Sequence, residues 1–192
     1  MLKTALIAAV LFLLAGLAEA QVPNGNVFFG YSYESTDTTA FGPAVIGSTV
    51  SRPNLNGWEA SFEGKLLPWV GLVGDFSGHY GTENFTEATP AGPITVSVNG
   101  HEQEYLFGPR VSVRVGKFTP FAEVMVGFAH IHTGGSLPSP SNTSFASAVG
   151  GGLDYRVFRP LALRVEGDYI HTSFFSTGQN NFRLSTGIVI RF

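Results

Sequence analysis

Asn181-Phe-Arg-Leu-Ser-Thr-Gly-Ile-Val-Ile-Arg-Phe192 alternates apolar and polar residues up to the last position. One parity carries Phe182, Leu184, Thr186, Ile188, Ile190 and Phe192; the other carries Arg183, Ser185, Gly187, Val189 and Arg191. A repeat of two is the strand period. A strand at a chain end has an edge that recruits other chains unless something pairs with it. The reading therefore demands a partner strand elsewhere in the chain.

Seven more segments alternate in the same way: Asn26–Glu34, Leu55–Lys65, Val70–Tyr80, His101–Val115, Phe121–Ile131, Ser144–Tyr155 and Leu161–Thr172. About 9–11 residues cross a bilayer when a strand is tilted by ~45°, and most of these segments are long enough. The connections alternate between short and long. Leu66–Trp69, Gly116–Pro120 and Arg156–Pro160 are short and carry Pro or Gly, as tight turns do. Ser35–Asn54, Gly81–Gly100, His132–Thr143 and Ser173–Asn180 are longer and rich in Ser, Thr, Asn, Gly and Pro. Short inner turns, long outer loops and an even strand number characterise outer-membrane barrels. The expected fold is all-β, an eight-stranded antiparallel up-and-down transmembrane β-barrel.

Composition agrees. Charged residues are 13% of the chain, against roughly 25% in soluble domains. A soluble protein with so few charges would expose much apolar surface. The formal net charge of −3 provides no basic field for nucleic acid. At the N-terminus, Met1-Leu-Lys3, the apolar stretch Thr4–Ala18 and Ala18-Glu19-Ala20 read as a secretory signal peptide, residues 1–20, cleaved after Ala20. The barrel is then 21–192, exported without cysteine and so without disulfides. No later apolar run suffices for a spanning helix. A closed barrel is the other structure that satisfies its backbone in lipid.

Alternation alone leaves the faces undecided, since a soluble lipocalin-type barrel has the same period with its apolar side inward. The polar parity here carries acids and bases in mid-strand among Gly and Ser. The apolar parity is aromatic at the strand ends: Tyr33, Trp58, Tyr80, Tyr105, Phe145, Tyr169 and Phe182 on the loop side, Trp69, Phe118, Tyr155, Phe158 and Phe192 on the turn side. Two such rings match interfacial girdles. The expected lumen is a plug of paired charges formed by Glu59, Glu63, Lys65, Asp75, Arg110, Arg114, Glu123, Asp154, Arg164, Glu166, Asp168, Arg183 and Arg191. Eight strands leave room only for such a filling. Pro109 cannot donate a ladder hydrogen bond, so a bulge or distorted pair is expected there.

Leu106-Phe-Gly-Pro-Arg-Val-Ser-Val-Arg114, followed by Phe118-Thr-Pro-Phe-Ala-Glu-Val-Met-Val-Gly-Phe-Ala-His130, resembles the small outer-membrane barrels related to the N-terminal transmembrane domain of OmpA. The likeness covers Asn26 to Phe192. It implies location in the bacterial outer membrane and contact with outer-membrane lipid and lipopolysaccharide. It also implies that Phe192 serves as the signal to the outer-membrane assembly machinery. The peptidoglycan-binding domain of longer relatives is absent from this sequence, so that anchoring role is not carried over.

Function is less legible. The expectation is a monomeric envelope component without cofactor or catalysis, with an extracellular ligand as an option at loops 35–54 and 81–100. A narrow pore is one alternative. A lipid A-modifying hydrolase is another, because His171-Thr-Ser173 is similar to the H-x-S pair of outer-membrane lipid A deacylases. A Ser nucleophile needs a His base and the base needs an acid. The eighth strand contains no Asp or Glu, and Asp168 has the wrong parity. His130 and His132 share a face, but no third ligand is apparent beside them, and no metal is expected.

Overall fold

The computed structural model describes residues 24–41, 52–89, 92–135 and 141–192. The expected signal peptide and its cleavage site lie outside them, as does most of the first long loop. Eight strands form in chain order: β1 (Gly25–Ser35), β2 (Asn54–Leu67), β3 (Val70–Thr89), β4 (Gly92–Ser112), β5 (Phe118–Gly135), β6 (Ser141–Phe158), β7 (Leu161–Thr172) and β8 (Gln179–Arg191). Each pairs antiparallel with its neighbour, and β1 pairs with β8, closing the barrel. The partner demanded by the last strand is thus the first. At the seam Gly25 N–H donates to Phe192 O and Phe192 N–H donates to Gly25 O, both at 3.1 Å. The Phe192 ring stacks on Phe62, centroids 6.2 Å apart.

The faces are inverted relative to a soluble barrel. Val111, Val126 and Ile188 are 45%, 52% and 47% exposed, whereas Arg110, Arg183 and Glu166 are at most 1% exposed. Such an outer surface would be unfavourable in water and is suited to lipid. Trp58, Tyr80, Phe145, Tyr169 and Phe182 stand exposed towards the long connections; Trp69, Phe118, Tyr155, Phe158 and Phe192 stand exposed towards the short ones.

The segment Gly81–Gly100, expected as a loop, is mostly strand. β3 and β4 stay in register from Val70↔Val111 out to Thr89↔Gly92. Its second half does alternate, Ile94-Thr-Val96-Ser-Val98-Asn99, but Pro90, Gly92 and Pro93 at its centre carry the marks of a loop. Cross-strand polar pairs help to hold it: Thr82 Oγ1 donates to Asn99 Oδ1 at 2.7 Å, and Ser97 Oγ donates to Asn84 Oδ1 at 2.6 Å. Nine residue pairs lie beyond Tyr80↔His101, so the hairpin extends by roughly 30 Å at the usual strand rise.

The inner turns are tight. Val115 and Phe118 exchange backbone hydrogen bonds of 2.8 and 3.0 Å around Gly116 and Lys117. Gly116 has φ +62°, a conformation that two-residue hairpins require and glycine adopts freely. At Pro109 the ladder to β5 lapses, with partners resuming at Phe107↔Val126 and Arg110↔Glu123, but the register does not shift. The irregularity is a distorted pair rather than a bulge.

Candidate functional site

Period two on eight strands points every second side chain into one lumen, and its width forces the charges into contact. Near the inner mouth, Lys65 Nζ pairs with Glu63 Oε1 and donates to Ser112 Oγ, while Arg191 Nη2 pairs with Asp154 Oδ2 at 3.0 Å. Both Lys65 and Arg191 remain partly exposed there. A cavity of about 710 Å³ opens at this end between Lys65, Arg110, Arg164 and Arg191.

The next layer is built on two guanidinium groups. Arg110 Nε pairs with Glu123 Oε2, and Arg164 grips Asp154 at 2.7 and 3.2 Å, a bidentate arrangement. Glu166 bridges them, at 3.3 Å from Arg110 Nη2 and 3.4 Å from Arg164 Nη1. Both guanidinium groups lie over the Phe121 ring, 4.4 and 4.5 Å from its centroid, so the ring face also compensates the buried charge. Glycines at 150 and 152 leave the space these groups fill: a Cβ at Gly152 would stand 2.8 Å from Phe121 Cζ.

Arg183 forms the layer above. Its Nη1 is 2.8 Å from Asp75 Oδ1 and 3.3 Å from Glu104 Oε2; its Nη2 is 2.9 Å from Asp168 Oδ2, and its Nε is 3.5 Å from Glu59 Oε2. Four carboxylates share one cation. Above them, His79 Nδ1 lies 2.9 Å from Glu34 Oε2, and His79 Nε2 lies 2.8 Å from Ser32 Oγ, which accepts from Ser185 Oγ at 2.9 Å.

The β4–β7 side of the outer half is aliphatic: Leu106, Met125, Ala129, Ile131, Ala146, Ala148 and Ile170 are buried with Phe174, which comes from the 3₁₀ turn Phe174–Ser176. Gln179 ties that turn down, accepting from Phe174 N at 2.8 Å and donating to Phe174 O at 3.1 Å. The lumen is therefore a charged plug below and a two-sided one above.

The structure departs from the sequence reading at specific residues. Arg114, expected in the lumen, is exposed; β4 ends at Ser112, and the chain has turned into its connection before that side chain is reached. Glu34, His79, Glu102 and Glu104 are fully buried in the lumen, although the sequence reading had not placed them there. Their parity was a usable signal, since His79 continues Asp75 and Ser77, and Glu104 and Glu102 continue back from Arg110. They sat next to segments read as loops.

Outside the barrel, His171 Nδ1 is 2.8 Å from Asn180 Oδ1, and the Ser173 backbone N–H donates to Ser144 Oγ at 3.2 Å. Among the described hydrogen bonds none joins His171 to Ser173. His130 Nδ1 lies 2.7 Å from Thr143 Oγ1, and His132 faces His101 with ring centroids 6.5 Å apart.

No protein-family profile matches this chain, and no curated protein matches it. Solved structures do. Neisserial surface protein A (NspA) superposes with a TM-score of 0.62 at 11% identity, covering 88% of this chain and 97% of that one. Ail, the attachment invasion locus protein of Yersinia pestis, superposes at 0.56 with 13% identity, over 90% and 100% of the two chains. The outer-membrane protease OmpT of Escherichia coli superposes at 0.50 with 10% identity, over 90% and 98%. The shared property is the fold: that of bacterial outer-membrane β-barrels.

Proposed function

We propose that this chain is an integral protein of the bacterial outer membrane whose role is structural, a closed barrel that supports a projecting surface hairpin. The observation that carries the proposal is the inversion of faces: aliphatic and aromatic side chains look outward between two aromatic rings, while Arg110, Arg164 and Arg183 are buried among carboxylates. In this reading the signal peptide is removed after Ala20, Phe192 is read by the assembly machinery, and lipopolysaccharide packs against the outer ring as a monomeric barrel sits in the bilayer.

The layered lumen supports a barrel closed to ions, with the Arg110–Glu166–Arg164 bridge and the aliphatic cluster in series. The pairing of His171 with Asn180, not with Ser173, supports a rim without hydrolytic chemistry. Fractionation with gel mobility before and after boiling tests the proposal. A heat-modifiable band in the outer-membrane fraction is the expected result; a soluble periplasmic protein would overturn it.

The β3–β4 hairpin favours a second role in surface contact. Loops held by a rigid scaffold commonly carry binding residues, and here the scaffold itself extends outward. Replacing 81–100 by a short turn should leave the barrel heat-modifiable and abolish attachment of producing cells to host surfaces. Unchanged attachment would leave the envelope role alone.

A further inference from the structure

We propose that the outer half of the lumen holds a divalent metal ion of the zinc class, bound by His79, Glu34 and Glu104 with Glu102 as the fourth ligand. One nitrogen or oxygen from each of Glu34, His79 and Glu104 lies within 4.8 Å of the others, and all three residues are buried. Zinc bonds of about 2.0–2.2 Å place tetrahedral donors roughly 3.4 Å apart, so small rotations bring these three together, and Glu102, outside that trio, is the proposed fourth from the facing strand.

Three independent observations point to an ion. First, Glu102 is 0% exposed and neither of its carboxylate oxygens has a hydrogen-bond partner. It stands directly across the ladder from His79, and the charges acting on it are those of Glu34 and Glu104. A buried acid without a partner is costly, and a cation between these groups removes the cost. Second, His79 Nδ1 and Glu34 Oε2 stand 2.9 Å apart as an ion pair, so two of the ligand atoms already face the same space. Third, apart from His79, Arg183 is the one basic side chain in the ion pairs of this half among the described residues, and Glu59, Asp75 and Asp168 already share it with Glu104. Glu34 is paired with His79, whereas Glu102 has no partner for either oxygen among the described residues.

Hydroxyl groups already hold the imidazole in place. With Nδ1 on the metal, His79 Nε2–H donates to Ser32 Oγ, 2.8 Å away, and Ser185 holds that hydroxyl. A ligating imidazole generally donates its other N–H in this way, which fixes the ring and its tautomer. One nitrogen with several carboxylates suits zinc or a neighbouring first-row ion. The other acidic trio, Glu123, Glu166 and Asp168, is tied to Arg110, Arg164 and Arg183 and is the weaker candidate.

The test uses the folded barrel in detergent, dialysed against a chelator and titrated with Zn²⁺ by calorimetry, with Co²⁺ absorption as the spectroscopic probe. One ion per chain is expected, with affinity lowered at least about tenfold by His79→Gln. A variant with His101, His130, His132 and His171 all changed to Gln should bind as the parent does. Where His79→Gln fails the heat-modifiable gel test for folding, Glu102→Gln carries the decision, since it removes no hydrogen bond of the structure; weaker binding is expected. Absence of stoichiometric binding, undiminished binding in folded His79→Gln or Glu102→Gln, or loss of binding in the outward-histidine variant would each overturn the proposal.

Discussion

Asp168 Oδ1 occupies the space beside Gly150: a Cβ built on that glycine would stand 1.8 Å from it. The same carboxylate holds Arg183 through two hydrogen bonds of 3.1 and 2.9 Å. Glycine at 150 is thus what lets β7 place Asp168 against the arginine of β8. The Gly150→Ala variant should lose about 1–3 kcal/mol, the usual cost of overpacking, measured by urea unfolding of the barrel in vesicles. Gly64, where an added Cβ would meet nothing within 4 Å, is the matched control and should change little as Ala.

Arg183 is the hub of the upper lumen, and its removal leaves four carboxylates facing one another. Arg183→Met should cost about 3–5 kcal/mol, as breaking a buried ion pair does. Adding Asp75→Asn and Asp168→Asn to that variant should recover a large part of the loss. An effect of Arg183→Met below 1 kcal/mol would mean that water already solvates the layer.

On the opposite face, Val126 sits near mid-strand and is 52% exposed. Val126→Arg should destabilise the barrel in vesicles by about 2–4 kcal/mol, the midplane penalty for a basic residue in lipid. Leu at the same position should be neutral. A soluble barrel would tolerate the arginine, so this substitution separates the two readings of the alternation.

Phe192 combines a backbone role at the seam with a ring contact to Phe62. Phe192→Ala keeps the backbone bonds and should lower stability of the refolded barrel by only about 1 kcal/mol, the scale of one aromatic pair. In cells its yield in the outer membrane should fall severalfold. Equal losses in both settings would reduce Phe192 to a packing residue.

Strand number, order and facing were legible because a residue's parity decides its environment all along a barrel wall. Leu161–Thr172 was bounded as it stands in the structure. The failures have physical causes. The stretch Thr82–Thr89 lacks a strict alternation, and the Pro and Gly residues that follow it mark a loop, which masked the alternation of its partner Ile94–Asn99. His79, Glu34, Glu102 and Glu104 fell near those ends and escaped notice. The aliphatic patch of Leu106, Met125, Ile131 and Ile170 shares its parity with charged residues. A lumen can be filled by either type, so parity identifies the compartment and leaves the filling open. Arg114 was misplaced because alternation runs on past the point where the ladder stops.

The long hairpin is continuous with the wall that bears Asp75, His79, Glu102, Glu104 and Arg110 on its two strands. A pull at its tip therefore loads an unbroken set of backbone ladder bonds in shear and is transmitted to the embedded body without a hinge. Force on the hairpin would thus reach the strands that carry the acidic upper chamber directly through their shared ladder.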